Sequence, residues 1–128
     1  MNLDYDLSMK VAKQIGAKLG QCYKNAFNTL PLVNPGALYV QGLATSHKLS
    51  FIPLDHGWVE VNGKIVDPTW VDMIDVQYWP IQKWTWDEVL TQLENQKQMS
   101  LPLIMVSVQQ NEYVDHIMKF IDKLNGKD

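Results

Sequence analysis

Residues 55–70, DHGWVEVNGKIVDPTW, decide how this chain folds. Asn62-Gly63 at their centre tolerates the positive φ angles that a two-residue hairpin loop requires. The flanking segments, 54–61 and 64–68, alternate in character and read as two antiparallel strands. A two-residue loop sets Val61 opposite Lys64, Glu60 opposite Ile65, Trp58 opposite Asp67 and His56 opposite Thr69. Side chains alternate along each strand, so His56, Trp58, Asp67 and Thr69 share one face. Asp67 is then the diagonal neighbour of His56, with α-carbons roughly 7–8 Å apart, a gap that a carboxylate can span. A four-residue loop keeps this pairing; a three-residue loop turns Asp67 to the other face.

A neutral imidazole held by a carboxylate is the base-and-orienter half of a nucleophilic triad. The nucleophile is sought among cysteines, and the chain has one, Cys22. A single cysteine forms no internal disulfide and no zinc site built on several cysteines. It is a buried thiol or a reactive one. Ala26, Phe27 and Leu30 lie on one face of a helix that Pro31 is expected to stop, which puts Cys22 at or near its first turn. The unpaired N–H groups there favour a thiolate and can stabilise an oxyanion. Taken singly, His56 is a structural strand histidine and Asp67 a turn residue before Pro-Thr. Taken together, the three suit acyl transfer through a thioester.

Working outward, residues 3–19 carry Leu3, Leu7, Val11, Ala12, Ile15 and Leu19 near helical spacing, predicting a helix that ends at Gly20. Residues 37–44, ALYVQGLA, predict a strand that Gly42 weakens or bulges. Residues 45–53 read as a polar loop closed by Pro53, and residues 70–84 as irregular and rich in tryptophan. Thr85 and Glu88 form a capping box for a helix over 86–97. The segment from Leu101, LPLIMVSV, reads as a buried strand, and residues 110–124 as a last helix. The class is α+β, with residues 1–128 as one domain.

GQCYKNAF, ALYVQGLA and DHGWVEVNGKIVDPTW together resemble the core of the transglutaminase-like superfamily, within the papain-like fold. The resemblance spans residues 20–70 and implies a nucleophile helix packed on a small antiparallel sheet, with additional C-terminal helices. It implies that Cys22 is the nucleophile, His56 the general base and acid, and Asp67 the orienting carboxylate. The implied activity is that of a cysteine hydrolase or acyltransferase on a peptide, isopeptide or small-amide bond. The missing arginine beside the YVQG strand and the small size place protease or amidase activity ahead of crosslinking. The other reading is a non-catalytic binding or inhibitor module that keeps the fold.

Gln21 and Gln14 are candidate side-chain donors to an oxyanion. All five tryptophans lie between Trp58 and Trp86. They are core residues, or Trp70, Trp79 and Trp84 line a groove that grips an extended substrate. In either case Trp58, beside His56 and Asp67, shields their hydrogen bond from water. His47 falls in a polar loop and His116 on the last helix, where surface roles are expected.

Fourteen acids against eleven lysines, without arginine, leave a net charge of −3. That balance lacks the basic stripe a phosphate backbone needs, so no nucleic-acid partner is expected. No apolar run reaches the roughly 20 residues of a membrane span. The acidic start, MNLDYDLSMKVAK, is unlike a signal peptide, and a cytoplasmic protein is expected. Neither a nucleotide loop nor an H-x-x-x-H pattern is present, so no cofactor and no metal are expected. Small size and absent arginine are compatible with a phage or mobile-element origin.

Overall fold

The computed structural model describes residues 1–47, 50–73, 75–96 and 100–104. In chain order its elements are α1 (Tyr5–Ile15), α2 (Cys22–Val33), β1 (Leu38–Ser46), β2 (Ser50–Val61), β3 (Lys64–Val66), β4 (Gln77–Thr85) and α3 (Trp86–Asn95). The four strands form one antiparallel sheet in the order β3-β2-β1-β4. The described part is therefore α+β, with α2 packed chiefly on β2.

The helix boundaries follow local chemistry. Asp4 caps α1 by accepting from Leu7 N–H at 3.1 Å, the preferred N-cap arrangement. The predicted end at Gly20 is corrected: α1 stops at Gly16, whose left-handed φ of 64° receives the C-cap. The expectation that Pro31 stops α2 is corrected too. Pro31 lies inside the helix, which runs on to Val33, and Asn34 N–H closes it on Leu30 C=O at 3.0 Å. A proline so near the end removes one bond from a ladder about to finish. Thr85 and Glu88 make both bonds of the capping box at α3, which ends at Asn95 rather than at residue 97.

The sheet departs from the expected one in two places. The polar loop expected over 45–53 is mostly strand, because β1 runs to Ser46 and β2 starts at Ser50. The tryptophan-rich stretch read as irregular contains β4, paired along β1 from Leu38↔Thr85 to Thr45↔Gln77. Its periodicity is hidden by a bulge where Gln41 pairs Gln82 but Gly42 pairs Pro80. Asn62 and Gly63, at φ 55° and 74°, form the hairpin turn, with Val61↔Lys64 and Glu60↔Ile65 in register. The buried strand expected from Leu101 is described only to Ile104, where no strand is formed, and the helix expected over 110–124 lies outside the described residues.

Each face of the sheet has its own core. Ala26 and Leu30 of α2 and Val89 and Leu93 of α3 pack with Tyr39, Val59, Val61, Val66 and Trp84 on one face. Burial of a side chain such as Leu30 contributes about 1.5–3 kcal/mol. Val40, Trp58 and Ile65 cluster on the other face with Leu3, Leu38 and Tyr78. Residues before α1 cover the free edge of β3, with Asp4 N–H to Ile65 C=O at 2.7 Å and Ile65 N–H to Asn2 C=O at 2.8 Å. Among the described residues, no helix is long and apolar enough to cross a membrane.

Candidate active site

Cys22 is the first residue of α2, and Gln21 is its N-cap without a side-chain cap bond. The Gln21 carbonyl accepts from Asn25 N–H at 2.9 Å, opening the helical ladder. The N–H groups of Cys22, Tyr23 and Lys24 therefore lie ahead of that ladder and have no acceptor within it. Asn25 fixes this end of the helix, its Nδ2 donating at 2.9 Å to both Lys18 C=O and Thr69 Oγ1. The second bond ties the start of α2 to the turn that carries Asp67.

β3 pairs with β2 only as far as Val59↔Val66, so β2 from Trp58 back toward Ser50 runs past it. Residues 67–71 turn alongside this stretch and bring Asp67 to His56. His56 Nε2 and Asp67 Oδ2 are 2.8 Å apart, with the two residues 1% and 0% exposed. Asp67 is held from every side. Its Oδ2 also accepts from Tyr78 O–H at 2.7 Å, its Oδ1 accepts from Thr69 N–H at 3.1 Å and Trp70 N–H at 3.2 Å, and its own N–H donates to Ser8 Oγ at 3.0 Å.

Burial alone drives an imidazole toward its neutral form, but here the charge of Asp67, its hydrogen bond, and the hydrogen bond and charge of Cys22 outweigh it. His56 is raised from 6.5 to about 9. With Nε2 engaged by Asp67, Nδ1 is the ring nitrogen left for the sulfur. Trp70 stacks on the imidazole at a centroid distance of 4.0 Å and Trp58 lies 5.9 Å away, nearly parallel. The pair is thus walled by aromatic surface.

A cleft of about 520 Å³ opens over these groups, lined by Cys22, Tyr23, His56, Thr69 and Trp70 together with Leu19, Gly20, Leu54, Asp55 and Pro102. Gln14 is an exposed residue of α1 and does not line it. Gln21 is exposed as well and faces a neighbouring cavity with Lys24, Phe27 and Leu93. Of the tryptophans, Trp70 alone lines the cleft. Trp58 is fully buried, its Nε1 without a partner among the described residues. Trp84 packs on Tyr39 at 5.7 Å in the core. Trp79 sits on β4 opposite Leu43. His47 is exposed, 3.9 Å from Asp75, and His116 lies outside the described residues.

Tyr78, Ser8 and Asp55 are among the polar residues of the site that went unseen in the sequence. Burial, then the charge and hydrogen bond of Asp67, push the Tyr78 phenol well above its ordinary range, so it stays a donor. Asp55 lines the cleft with its Oδ1 buried and without a hydrogen-bond partner among the described residues. Its position beside His56 was a signal available in the sequence. Ser8 carried none because it reaches Asp67 from α1, far away in sequence, and Tyr78 none because the bulge in β4 hides which face it takes. Among the described residues, no group of three or more His, Cys, Asp or Glu is placed to hold a metal ion. Compared with family models, curated proteins and solved structures, the chain finds no match.

Proposed function

We propose that this chain is a cysteine hydrolase or acyltransferase with a Cys22-His56-Asp67 triad, built on a transglutaminase-like, papain-like plan and acting on an amide bond. One observation carries the reading. A fully buried carboxylate orients a buried histidine whose other nitrogen is left for the chain's only thiol, and that thiol sits at a helix start in an open cleft.

In this reading His56 carries the proton and Cys22 attacks as thiolate. The sulfur–carbon bond forms while the carbonyl electrons move to oxygen, which the N–H groups at the start of α2 receive. His56 gives its Nδ1 proton to the departing amine, the carbon–nitrogen bond breaks, and a thioester with neutral His56 remains. Water, or an acceptor amine, then loses a proton to His56 as it attacks the thioester. The carbon–sulfur bond breaks and the thiolate returns. Asp67 holds the Nε2 proton throughout and stays ionised. Leu19, Leu54, Trp70 and Pro102 give the cleft an apolar wall, which suits an acyl group flanked by apolar substituents.

The test uses the lone cysteine. Native protein treated with iodoacetamide at neutral pH is expected to be alkylated at Cys22, and His56→Ala to slow that reaction at least about tenfold. A panel of peptide, isopeptide and small-amide substrates should then show turnover that Cys22→Ala abolishes. Alkylation only after urea is added overturns the reading. A reactive thiol with no turnover on the panel supports the binding-module alternative.

A further inference from the structure

We propose that Tyr78 is a positioning residue of the triad, donating to the same Asp67 oxygen that holds His56 and so setting both the aim and the strength of that carboxylate. This inference rests on the Cys22-His56-Asp67 reading and adds a fourth member to it.

The geometry begins at Gly42. β1 and β2 pair without interruption from Leu38↔Glu60 to Ala44↔Leu54, so Val40, Gly42 and Ala44 share a face with Trp58, His56 and Leu54. β4 lies on the far side of β1. Up to Gln82 its alternation puts Lys83 on that face, and continuing it would next present Ile81 and Trp79. The bulge inserts one residue, so that Pro80 pairs Gly42 and Tyr78 pairs Ala44. One extra residue exchanges the two faces of a strand. Tyr78, not Trp79, is thereby turned toward His56. Gly42 is what admits the bulge, since a Cβ there would overlap the Trp79 carbonyl oxygen.

Gly42 and Ala44 leave low relief on β1, and the Tyr78 ring reaches across it. It meets Trp58 at 5.0 Å and His56 at 6.4 Å between centroids, and its hydroxyl ends 2.7 Å from Asp67 Oδ2. That oxygen therefore accepts two hydrogen bonds, one from His56 Nε2 and one from a phenol. The phenol draws off part of the negative charge that would otherwise act on the imidazole alone. With the two backbone donors on Oδ1, it also leaves the carboxylate no freedom to rotate. The groups that face or flank His56 are Asp67 from the turn after β3, Tyr78 from β4, Cys22 and Tyr23 from α2, and Asp55 beside it on β2.

The sign of the effect follows. Without the phenol, Asp67 acts more strongly on His56, and the imidazolium is better stabilised. Tyr78→Phe keeps the ring against Trp58 and removes only the donor. The experiment is an NMR titration of the His56 ring in the full chain, assigned with His47→Gln and His116→Gln, for wild type, Tyr78→Phe and Asp67→Asn. Near-UV circular dichroism verifies the fold of each. The Tyr78→Phe midpoint is expected to move up by about half a unit to one unit, and the Asp67→Asn midpoint down by about one to three units. A downward move in Asp67→Asn with no move in Tyr78→Phe overturns the role of Tyr78 and leaves the triad standing. An Asp67→Asn titration identical to wild type overturns the triad itself, and Tyr78 with it.

Discussion

Tyr23 occupies the space that a side chain on Gly57 would fill: a Cβ built there lies 2.8 Å from Tyr23 Cδ1 and 3.5 Å from Tyr23 Cα. The Tyr23 ring, at the start of α2, packs closely on β2 because Gly57 carries no side chain, and Cys22 precedes it beside His56. Gly57→Ala is expected to cost about 1–3 kcal/mol, the usual penalty for overpacking. It should also slow alkylation of Cys22 by moving the sulfur away from the imidazole. Urea unfolding and the alkylation rate, measured on the same preparation, test this. A variant that loses stability but keeps wild-type thiol reactivity would show that this packing does not set the site.

Asp67→Asn separates orientation from folding. The amide oxygen can keep the bonds from Thr69 N–H and Trp70 N–H, so the turn survives. The amide nitrogen then meets His56 Nε2, and two donors cannot face each other. The ring responds by placing its proton on Nδ1, toward the sulfur, where the thiol needs an acceptor. Turnover is expected to fall by a factor on the order of 10²–10⁴ while circular dichroism stays native. Asp67→Ala should behave differently. It strands Tyr78 O–H and two backbone donors in the interior, at about 1–3 kcal/mol each. Full activity in a folded Asp67→Asn protein would remove the carboxylate from the mechanism.

The raised titration of His56 fixes a pH dependence of stability. Burial opposes its charge, but Asp67 and Cys22 prevail, and the folded value of about 9 exceeds the ordinary 6.5. A group raised in the folded state contributes its full stabilisation below the unfolded value and loses it as pH rises through the folded one. The urea midpoint should therefore fall between about pH 6.5 and pH 9, and Asp67→Asn should flatten that slope. A wild-type midpoint that climbs across the same window contradicts the ion pair.

What the sequence disclosed and what it hid follow the range of the interactions. The neighbourhood of His56 and Asp67 was legible because a two-residue Asn62-Gly63 turn fixes register locally, and the strand between them is short. The Thr85 capping box was legible for the same reason. β4 was not, because the bulge opposite Gly42 breaks its alternation and Pro80 argues against a strand interior. Tyr78 was hidden with it. Gly16 ended α1 four residues before the helical spacing gave out, since Leu19 imitates the period while standing exposed beyond the helix.

Gln41 makes a further prediction, about the wall of the cleft. Its side chain is fully buried, and its Oε1 accepts from Leu103 N–H at 2.7 Å and Tyr39 O–H at 3.2 Å. Its Nε2 donates to Ile104 C=O at 3.0 Å. The amide thus substitutes for a strand partner and holds residues 101–104, including the cleft residue Pro102, against the sheet. Gln41→Leu removes all three bonds and leaves the Leu103 N–H, the Ile104 C=O and the Tyr39 O–H without this partner, a cost of about 1–3 kcal/mol for each group that remains buried. Hydrogen exchange at the Leu103 amide should accelerate at least about tenfold, with exchange in α3 much less changed. Equal acceleration in both would mean that Gln41 supports the whole fold rather than this segment.

The tryptophans divide into two kinds, and paired substitutions should tell them apart. Trp84 lies in the core on the helix-covered face, against Tyr39 and near Val89 and Leu93, away from the cleft. Trp84→Ala should cost about 3–5 kcal/mol, as removal of a buried aromatic does, and any surviving folded protein should keep a reactive Cys22. Trp70 is also buried, at 4% exposure, but it stacks at 4.0 Å on the His56 ring and lines the cleft. Trp70→Ala uncovers one face of the imidazole and admits water to its bond with Asp67. The histidine–carboxylate interaction weakens in that higher dielectric, so Cys22 alkylation should slow even in molecules that remain folded. Trp70→Phe restores a flat ring over the imidazole and should recover most of the rate. The comparison to make is alkylation per folded molecule, with the folded fraction taken from urea curves. If Trp84→Ala suppresses that normalised rate as strongly as Trp70→Ala, the stacking has no special part in the site and both tryptophans act through stability alone.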